Sequence, residues 1–287
     1  MALIELKGVN YRYPLAKKEA LKGINLTFEA GKMYGLVGAN QSGKTTLVQV
    51  IRGFLPNLLK GNLSGLVTFK GQDVSSYNIG ALAAFMGYSS QNPFTQISGV
   101  KDTVEEEIVY GMENLGFDRE KMQERLEKVL ADFNLTGLRG KNPYDLSGGQ
   151  KQRVALASIV AIDPEVIILD EPTSQLDPEG TAEIFSIVEQ LKKAGKTIIM
   201  IEHKIDLLAE CCDEIIVMEK GQVVLSGSTR TVLTDKNLIQ YGVNAPQVTS
   251  FFQQFLTEID GDFPFLKGSL QELPLTIEEA IKQLRGL

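Results

Sequence analysis

Tyr34-Gly35-Leu36-Val37-Gly38-Ala39-Asn40-Gln41-Ser42-Gly43-Lys44-Thr45 runs from a short apolar strand into a glycine-containing loop, and Thr45 to Ile51 continues it as a helix. Residues 38–45 match G-x-x-x-x-G-K-[ST], and the strand before and helix after supply the context that the pattern needs. The glycines let the backbone curl so that N–H groups point inward at phosphate oxygens. The helix N-terminus adds partial positive charge. Gly38, Ala39, Asn40, Gln41, Ser42, Gly43, Lys44, Thr45 and Thr46 are therefore read as a phosphate cradle. Lys44 supplies a point charge to the β- and γ-phosphates of a nucleotide, and the Thr45 hydroxyl is a ligand for Mg2+.

A second apolar strand, Val166-Ile167-Ile168-Leu169, ends in Asp170-Glu171. Ligands of open α/β sheets bind at that edge of the strands. Asp170 is expected to hold Mg2+ through water, and Glu171 to orient or deprotonate an attacking water. Thr197-Ile198-Ile199-Met200-Ile201 and Glu214-Ile215-Ile216-Val217-Met218 read as further buried strands. The helical stretches between them favour a parallel sheet.

The N-terminal stretch reads as alternating strands at Leu3–Lys7 and Ile24–Phe28, with a turn from Gly8 to Pro14. Val104 to Leu115 and Glu120 to Phe133 are helical patterns without strand signals between them, which predicts a helical subdomain over about residues 92–145. The last fifty residues or so form an appendage. Val248, Phe251, Phe252, Phe255 and Leu256 fall at helical spacing. Thr276 and Glu279 resemble a capping box before Ile277, Ala280, Ile281 and Leu284. Those apolar faces either pack on their own domain or meet a second subunit.

Composition excludes several classes. Hydrophobic residues make up 43% and charged residues 23%, a globular balance rather than a disordered one. The formal net charge of −7 argues against a broad nucleic-acid surface. The opening, Met1 to Lys7, meets charge too early for a secretory signal. No apolar run approaches the roughly 18 residues that a bilayer span requires, so any membrane role is expected to come through a partner. Cys211 and Cys212 are adjacent and have no metal-ligand spacing. His203 is the only histidine, so a multi-histidine zinc site cannot be made.

Leu146-Ser147-Gly148-Gly149-Gln150 resembles the signature motif of ATP-binding cassette (ABC) ATPases, and it precedes the acidic strand as in that family. The other family parts follow in order. Tyr13 looks like the aromatic residue that stacks on adenine, with Tyr11 as a competitor. Gln91 looks like the glutamine that joins two subdomains and reaches Mg2+ and the attacking water. Ser174-Gln175-Leu176-Asp177 resembles the loop that crosses between subunits. His203 looks like the switch histidine at the γ-phosphate. The resemblance covers roughly residues 3–230 and implies an α/β fold, a P-loop NTPase core of ABC type. It implies an N-terminal antiparallel β subdomain, an inserted α-helical subdomain and a C-terminal helical extension, with an ATPase domain at 1–235 and the extension at 236–287.

The resemblance also implies ATP and Mg2+ as ligands, with Ser147, Gly148, Gly149 and Gln150 forming a second anion nest at a helix start. Asp177 belongs to the nucleotide-binding set of the same dimer. In the family that nest meets the γ-phosphate held by another subunit, so two ATPs are buried in a head-to-tail dimer, either a homodimer or a pair of paralogues. Gln91-Asn92-Pro93 with Gln96-Ile97, Thr103-Val104-Glu105-Glu106-Glu107, Gly111 to Gly116 and the tail from Pro246 resemble the energy-coupling-factor (ECF) branch. That branch serves prokaryotic importers of vitamins and of cobalt or nickel ions. It implies a membrane T-component, a substrate-binding membrane subunit and a place on the cytoplasmic face of the membrane. The alternatives are a non-transport cassette acting on nucleic acid and a regulatory ATP-binding module. The run Glu105-Glu106-Glu107 either receives basic residues of a membrane partner or starts a solvated helix.

Two positions depart from the family pattern. Gln41 stands where glycine is usual, and Gln175 where alanine or glycine is usual. In a head-to-tail homodimer the two side chains could hydrogen-bond across the interface.

Overall fold

The computed structural model describes residues 2–92, 95–258 and 272–285. Pro93 of the Gln91-Asn92-Pro93 motif and residues 259–271 and 286–287 of the expected extension lie outside the described residues. The chain opens with β1 (Ala2–Arg12), β2 (Leu21–Glu29) and β3 (Met33–Val37), then α1 (Lys44–Ile51) and the one-turn α2 (Phe54–Asn57). Strands β4 (Asn62–Phe69) and β5 (Gln72–Asp73), helix α3 (Ile79–Phe85) and strand β6 (Met86–Ser89) follow. Next come α4 (Val104–Asn114), α5 (Arg119–Asp132), α6 (Gly148–Ala161), β7 (Val166–Asp170) and α7 (Pro178–Lys193). The described chain ends with β8 (Thr197–Ile201), α8 (Ile205–Cys211), β9 (Glu214–Glu219), β10 (Gln222–Ser228), α9 (Thr229–Leu233), α10 (Gln247–Glu258) and α11 (Ile277–Arg285).

Two sheets result. An antiparallel four-stranded sheet has the order β2-β1-β4-β5, and a six-stranded sheet has the order β10-β9-β3-β8-β7-β6. In the second, β6, β7, β8, β3 and β9 are parallel and β10 is an antiparallel edge. Every residue of β3, β7 and β8 is buried, which is why these strands read as unbroken apolar runs. Alternate side chains feed two cores. Met33, Val37, Ile167, Leu169, Ile198 and Met200 pack with helices α4 to α7. Tyr34, Leu36, Ile168, Ile199 and Ile201 pack with α1 and the antiparallel sheet.

The first part of the expected turn from Gly8 to Pro14 is instead strand, and the turn itself falls at Pro14-Leu15. β1 continues to Arg12, and Tyr11 pairs with Leu21 on one side and Leu63 on the other. A bulge between Lys7 and Asn10 absorbs the break, and Gly8 takes φ +58° there with open space around its missing side chain. Gly8 thus marks a kink in a strand, not its end.

The helical patterns at 104–115 and 120–133 form α4 and α5. Their Val104, Ile108, Met112, Leu126 and Leu130 share one core with Val154 and Leu156 of α6. The acidic run that opens α4 is occupied within the chain. Thr103 and Glu106 form a capping box, Glu105 pairs with Arg139, and the buried Glu107 accepts from Ser98 N at 2.7 Å and Ser98 Oγ at 2.6 Å. Helix capping and internal pairing therefore account for all three acids, and a partner's basic residues are not needed.

In the extension, Phe252, Leu275 and Ala280 are buried against the chain, whereas Phe251, Ile277, Ile281 and Leu284 are exposed. Thr276 Oγ1 accepts from Glu279 N at 3.2 Å, as a capping box requires. The Glu279 carboxylate reaches back to Leu275 N at 2.8 Å, one residue before the position that would complete the box. Among the described residues no helix is long and apolar enough to cross a membrane.

Candidate active site

The parallel register brings the ends of four strands to one edge. Leu36 and Asp170 both pair with Ile201, and Ser89 pairs with Leu169. The loops that leave these ends carry residues 38–43, Gln91, Glu171 and His203. This is the strand edge where open α/β sheets bind ligands.

Tyr13, Asn40 to Thr46, Gln91, Glu171 and His203 line one cavity of about 730 Å3, together with Lys18, Glu19, Lys22, Lys220 and Gly221. That volume suits a nucleotide-sized ligand. The glycines at the ends of the loop are required by close approach. A Cβ on Gly38 would stand 2.1 Å from the Met218 carbonyl oxygen, and one on Gly43 would stand 2.9 Å from that of Ala20. Gln41, where the sequence departs from glycine, adopts φ +64°. Lys44 Nζ donates to the carbonyls of Gly38 at 2.8 Å and Ala39 at 3.0 Å, so Ala39 serves the cradle through its backbone. Burial lowers the Lys44 pKa, opposed by Glu171 and Asp170. Ser42 Oγ is buried and makes no hydrogen bond among the described residues. The N–H groups of Lys44, Thr45 and Thr46, in the first turn of α1, lack intrahelical acceptors by geometry. A buried cation, an orphaned hydroxyl and free N–H groups together fit a phosphate chain.

Asp170 is buried and is joined to the cavity through Thr45. Its Oδ2 accepts from Thr45 Oγ1 at 3.1 Å and from Tyr88 OH at 3.2 Å. Burial raises its pKa, the two hydrogen bonds oppose that shift, and Glu171 adds to it. Thr45, Asp170 and Gln91 are hard oxygen donors, and among the described residues no three His, Cys, Asp or Glu side chains gather into a cage. This set fits Mg2+, which takes one or two protein oxygens and fills its octahedron with phosphate oxygens and water.

Glu171 adopts φ +50°, in the left-handed region. Its carboxylate is held on both sides: Gln91 Nε2 donates to Oε2 at 2.6 Å, and His203 Nε2 lies 3.0 Å from Oε1. Three residues far apart in sequence thus meet at the cavity mouth. Tyr13, not Tyr11, reaches the cavity. Tyr13 is partly exposed and its OH lies 3.0 Å from Thr46 Oγ1, while Tyr11 is fully buried and donates to Lys60 O at 3.0 Å.

The remaining expected residues stand elsewhere. Ser147, Gly148, Gly149, Gln150, Gln175 and Asp177 line a separate cleft of about 450 Å3. Ser147 caps α6 in a capping box with Gln150, and Asp177 caps α7 by accepting from Gly180 N at 2.8 Å. Within one chain these groups do not meet the phosphate loop.

Sequence reasoning missed two residues that support the site from behind. Tyr88 sits on the short strand β6, and the Arg52 guanidinium stands 4.0 Å from its ring centre. Glu202 follows β8 directly, is 2% exposed and accepts from His203 N at 2.8 Å. The signal for Glu202 was present, since an acid ends an apolar strand there as at Asp170-Glu171.

The sequence model of the family described as "ABC transporter" matches residues 21–174. The chain is 36% identical over 89% of its length to a putative ABC transporter ATP-binding protein of Methanosarcina acetivorans. It spans 42% of that relative's length, and the same share of a Methanosarcina mazei relative. It is 38% identical to the energy-coupling factor transporter ATP-binding protein EcfA of Enterococcus faecium, covering 85% of this chain and 86% of that one. Among solved structures, cbiO1 of Clostridium perfringens, part of the ABC transporter complex cbiONQ, superposes with a TM-score of 0.73 at 33% identity. That superposition covers 83% of this chain and 93% of that one. The family match extends over more than half of the chain and includes the phosphate loop, Gln91, the signature and the acidic pair, so the chain belongs to the ABC transporter family of ATPases.

Proposed function

We propose that this chain is the ATP-hydrolysing subunit of a prokaryotic ECF-type importer for vitamins or transition-metal ions, peripheral on the cytoplasmic face of the membrane. The observation that carries hydrolysis is the Glu171 carboxylate, gripped by Gln91 and His203 at the mouth of the phosphate-loop cavity. The names of the EcfA and cbiO1 relatives support the importer branch.

In this mechanism Lys44 and the loop N–H groups hold the β- and γ-phosphates, and Tyr13 stacks on the adenine. Glu171 takes the proton of the attacking water, Gln91 fixes that water's side of the carboxylate, and His203 steadies the other oxygen and faces the γ-phosphate. Mg2+, when bound, neutralises charge on the phosphate oxygens, with Thr45, Asp170 and Gln91 as the residues that would hold it. The ATPase domain is residues 1–235, including the helical subdomain at about 92–145, and 236–287 is the extension.

The cleft at Ser147 to Gln150 is read as half of a second, intersubunit site. Its glycines have no internal reason to be glycine: a Cβ on Gly148 meets nothing within 4 Å, and one on Gly149 meets only Leu176 Cδ2 at 3.9 Å. Close approach of a phosphate and of a partner's loop explains them. The partner is a second copy or a paralogue, and Gln41 and Gln175, which line different cavities, are available to meet across the interface. A T-component and a substrate-binding membrane subunit complete the assembly, and no nucleic acid is involved.

The test is phosphate release by the purified chain with MgATP, followed by Glu171→Gln. Turnover is expected to fall by ~10²-fold or more with ATP binding retained, since a positioned base is worth that much. Substantial residual hydrolysis would refute the role of Glu171. Co-purification from membranes without any membrane subunit would refute the importer reading.

A further inference from the structure

Behind the catalytic edge lies a buried carboxylate that takes no part in the chemistry described above. Glu202 is 2% exposed and Thr173 is fully buried. Glu202 Oε2 accepts from Thr173 Oγ1 at 2.6 Å. Oε1 accepts from the backbone N–H of His203 at 2.8 Å and, less closely, of Lys204 at 3.4 Å. The next residue repeats the connection, since Lys204 Nζ donates to Thr181 Oγ1 at 2.8 Å and to Thr173 O at 3.3 Å.

Thr173 belongs to the turn that starts at the catalytic base. Ser174 N donates to Glu171 O at 3.2 Å, Leu176 N donates to Thr173 O at 3.2 Å, and Glu171 N donates to Ile201 O at 2.9 Å. The carboxylate thus bridges two loops, one oxygen on each. One loop carries Glu171 and leads to Gln175, and the other carries His203. A buried carboxylate is costly unless each oxygen is satisfied, so this bridge is either fully made or strongly disfavoured. Glu202 is not among the residues that line the nucleotide cavity, and both of its oxygens are taken up by the two loops.

We propose that Glu202 is a positioning residue that locks the His203 segment to the 171–177 loop, so that contact made by a partner at Gln175 is felt at the Glu171–His203 pair. This rests on the hydrolytic reading above. The role requires hydrogen bonds, not charge. In Glu202→Gln the amide oxygen still accepts from His203 and Lys204, and the amide N–H2 donates to Thr173 Oγ, which reverses its role. Glu202→Leu and Thr173→Val keep the volume and lose the bridge.

The experiment uses the full chain. Glu202→Leu and Thr173→Val are expected to lower kcat by roughly 10- to 100-fold, the size of a small misplacement of catalytic groups, with the ATP Kd within about 3-fold of wild type. Glu202→Gln retains turnover within about 3-fold, and the double variant is no worse than the poorer single variant. Hydrogen exchange in the nucleotide-free chain reads the bridge without turnover: both 172–177 and 203–206 exchange faster in Thr173→Val and Glu202→Leu, but not in Glu202→Gln. If Glu202→Leu fails to fold, Thr173→Val reads the same bond from its other end. Multiplicative losses in the double variant, an equal loss in Glu202→Gln, or unchanged exchange in 203–206 of Thr173→Val each overturn the proposal. A wild-type chain that binds ATP without releasing phosphate defeats the hydrolytic reading instead, and the exchange result then stands by itself.

Discussion

Gln41 holds a left-handed backbone, φ +64°, in the loop that matches the phosphate-binding pattern. A side chain there costs about 1–2 kcal/mol, whereas glycine would give back about 0.5–1 kcal/mol as extra freedom in the unfolded chain. Gln41→Gly should therefore stabilise the isolated chain by about 0.5–1 kcal/mol, read from urea midpoints with the slope unchanged. A stability loss would mean that the Gln41 side chain contributes contacts that outweigh its backbone. Asp170 carries the opposite tension between stability and function. Burial raises its pKa, so the folded state binds its proton more tightly than the unfolded state does. Ionising Asp170 in the fold then costs stability above its folded pKa, and this cost vanishes below the unfolded value near 4. Asp170→Asn, whose carbonyl can still accept from Thr45 and Tyr88, should raise the melting temperature at neutral pH, with the gain fading in acid. Mg2+-dependent hydrolysis should be lost in the same protein. Residues of this kind differed in legibility. Tyr13 and Tyr11 looked alike in sequence because a strand signal was missing, and one bulge at Gly8 settles which of them is buried.

Among the elements, legibility followed burial on both faces. β3, β7, β8 and β9 were readable because each is an apolar run, and their loops brought the site residues with them. β6 was not, because Met86-Gly87-Tyr88-Ser89 mixes a glycine and polar groups into a strand whose partner side chains supply the burial. Tyr88 was lost with it. β4 and β10 were missed for a related reason: Gly65 and Gly227 interrupt the alternation, and much of both strands is exposed. In the extension the caps were readable but the anchor was not, since it comes from α9. Arg230 donates to Leu273 O at 2.7 Å and to Glu279 Oε1 at 2.8 Å, and pairs with Glu272 at 3.2 Å. The guanidinium is about one-third exposed, so the ion pairs are worth little and the carbonyl bond most of the ~1 kcal/mol expected. Arg230→Met should speed hydrogen exchange in α11 by about fivefold and leave α1 and β7 unchanged, because local opening at the edge does not involve the core.

At the scale of the whole molecule, the two halves of the expected nucleotide site are built on different faces of one chain. The phosphate loop, Gln91, Glu171 and His203 share a cavity, and the signature shares another with Gln175 and Asp177. Residue order alone could place both sets in one site; the family resemblance assigns them to facing subunits, and the fold puts them in separate cavities. A dimer reading and a self-contained reading differ in whether dimerisation and turnover respond to one substitution. Gly148 and Gly149 are the first residues of α6 and have room for a methyl group. Alanine is a better helix former than glycine by about 0.8–1 kcal/mol in a helix interior, and less than that in the first turn. If the signature glycines serve only their own chain, Gly149→Ala should stabilise it and leave hydrolysis unchanged. If they make room for a phosphate and loop held by a partner, the same substitution still stabilises the monomer, by roughly 0.5 kcal/mol, but weakens ATP-dependent dimerisation and turnover together. Sedimentation of Glu171→Gln, with and without Gly149→Ala, in saturating MgATP reads dimerisation. A melting curve without nucleotide reads monomer stability. Loss of the ATP-dependent dimer in a more stable monomer is the expected pair of results. An intact dimer would return the signature to the role of an ordinary helix cap.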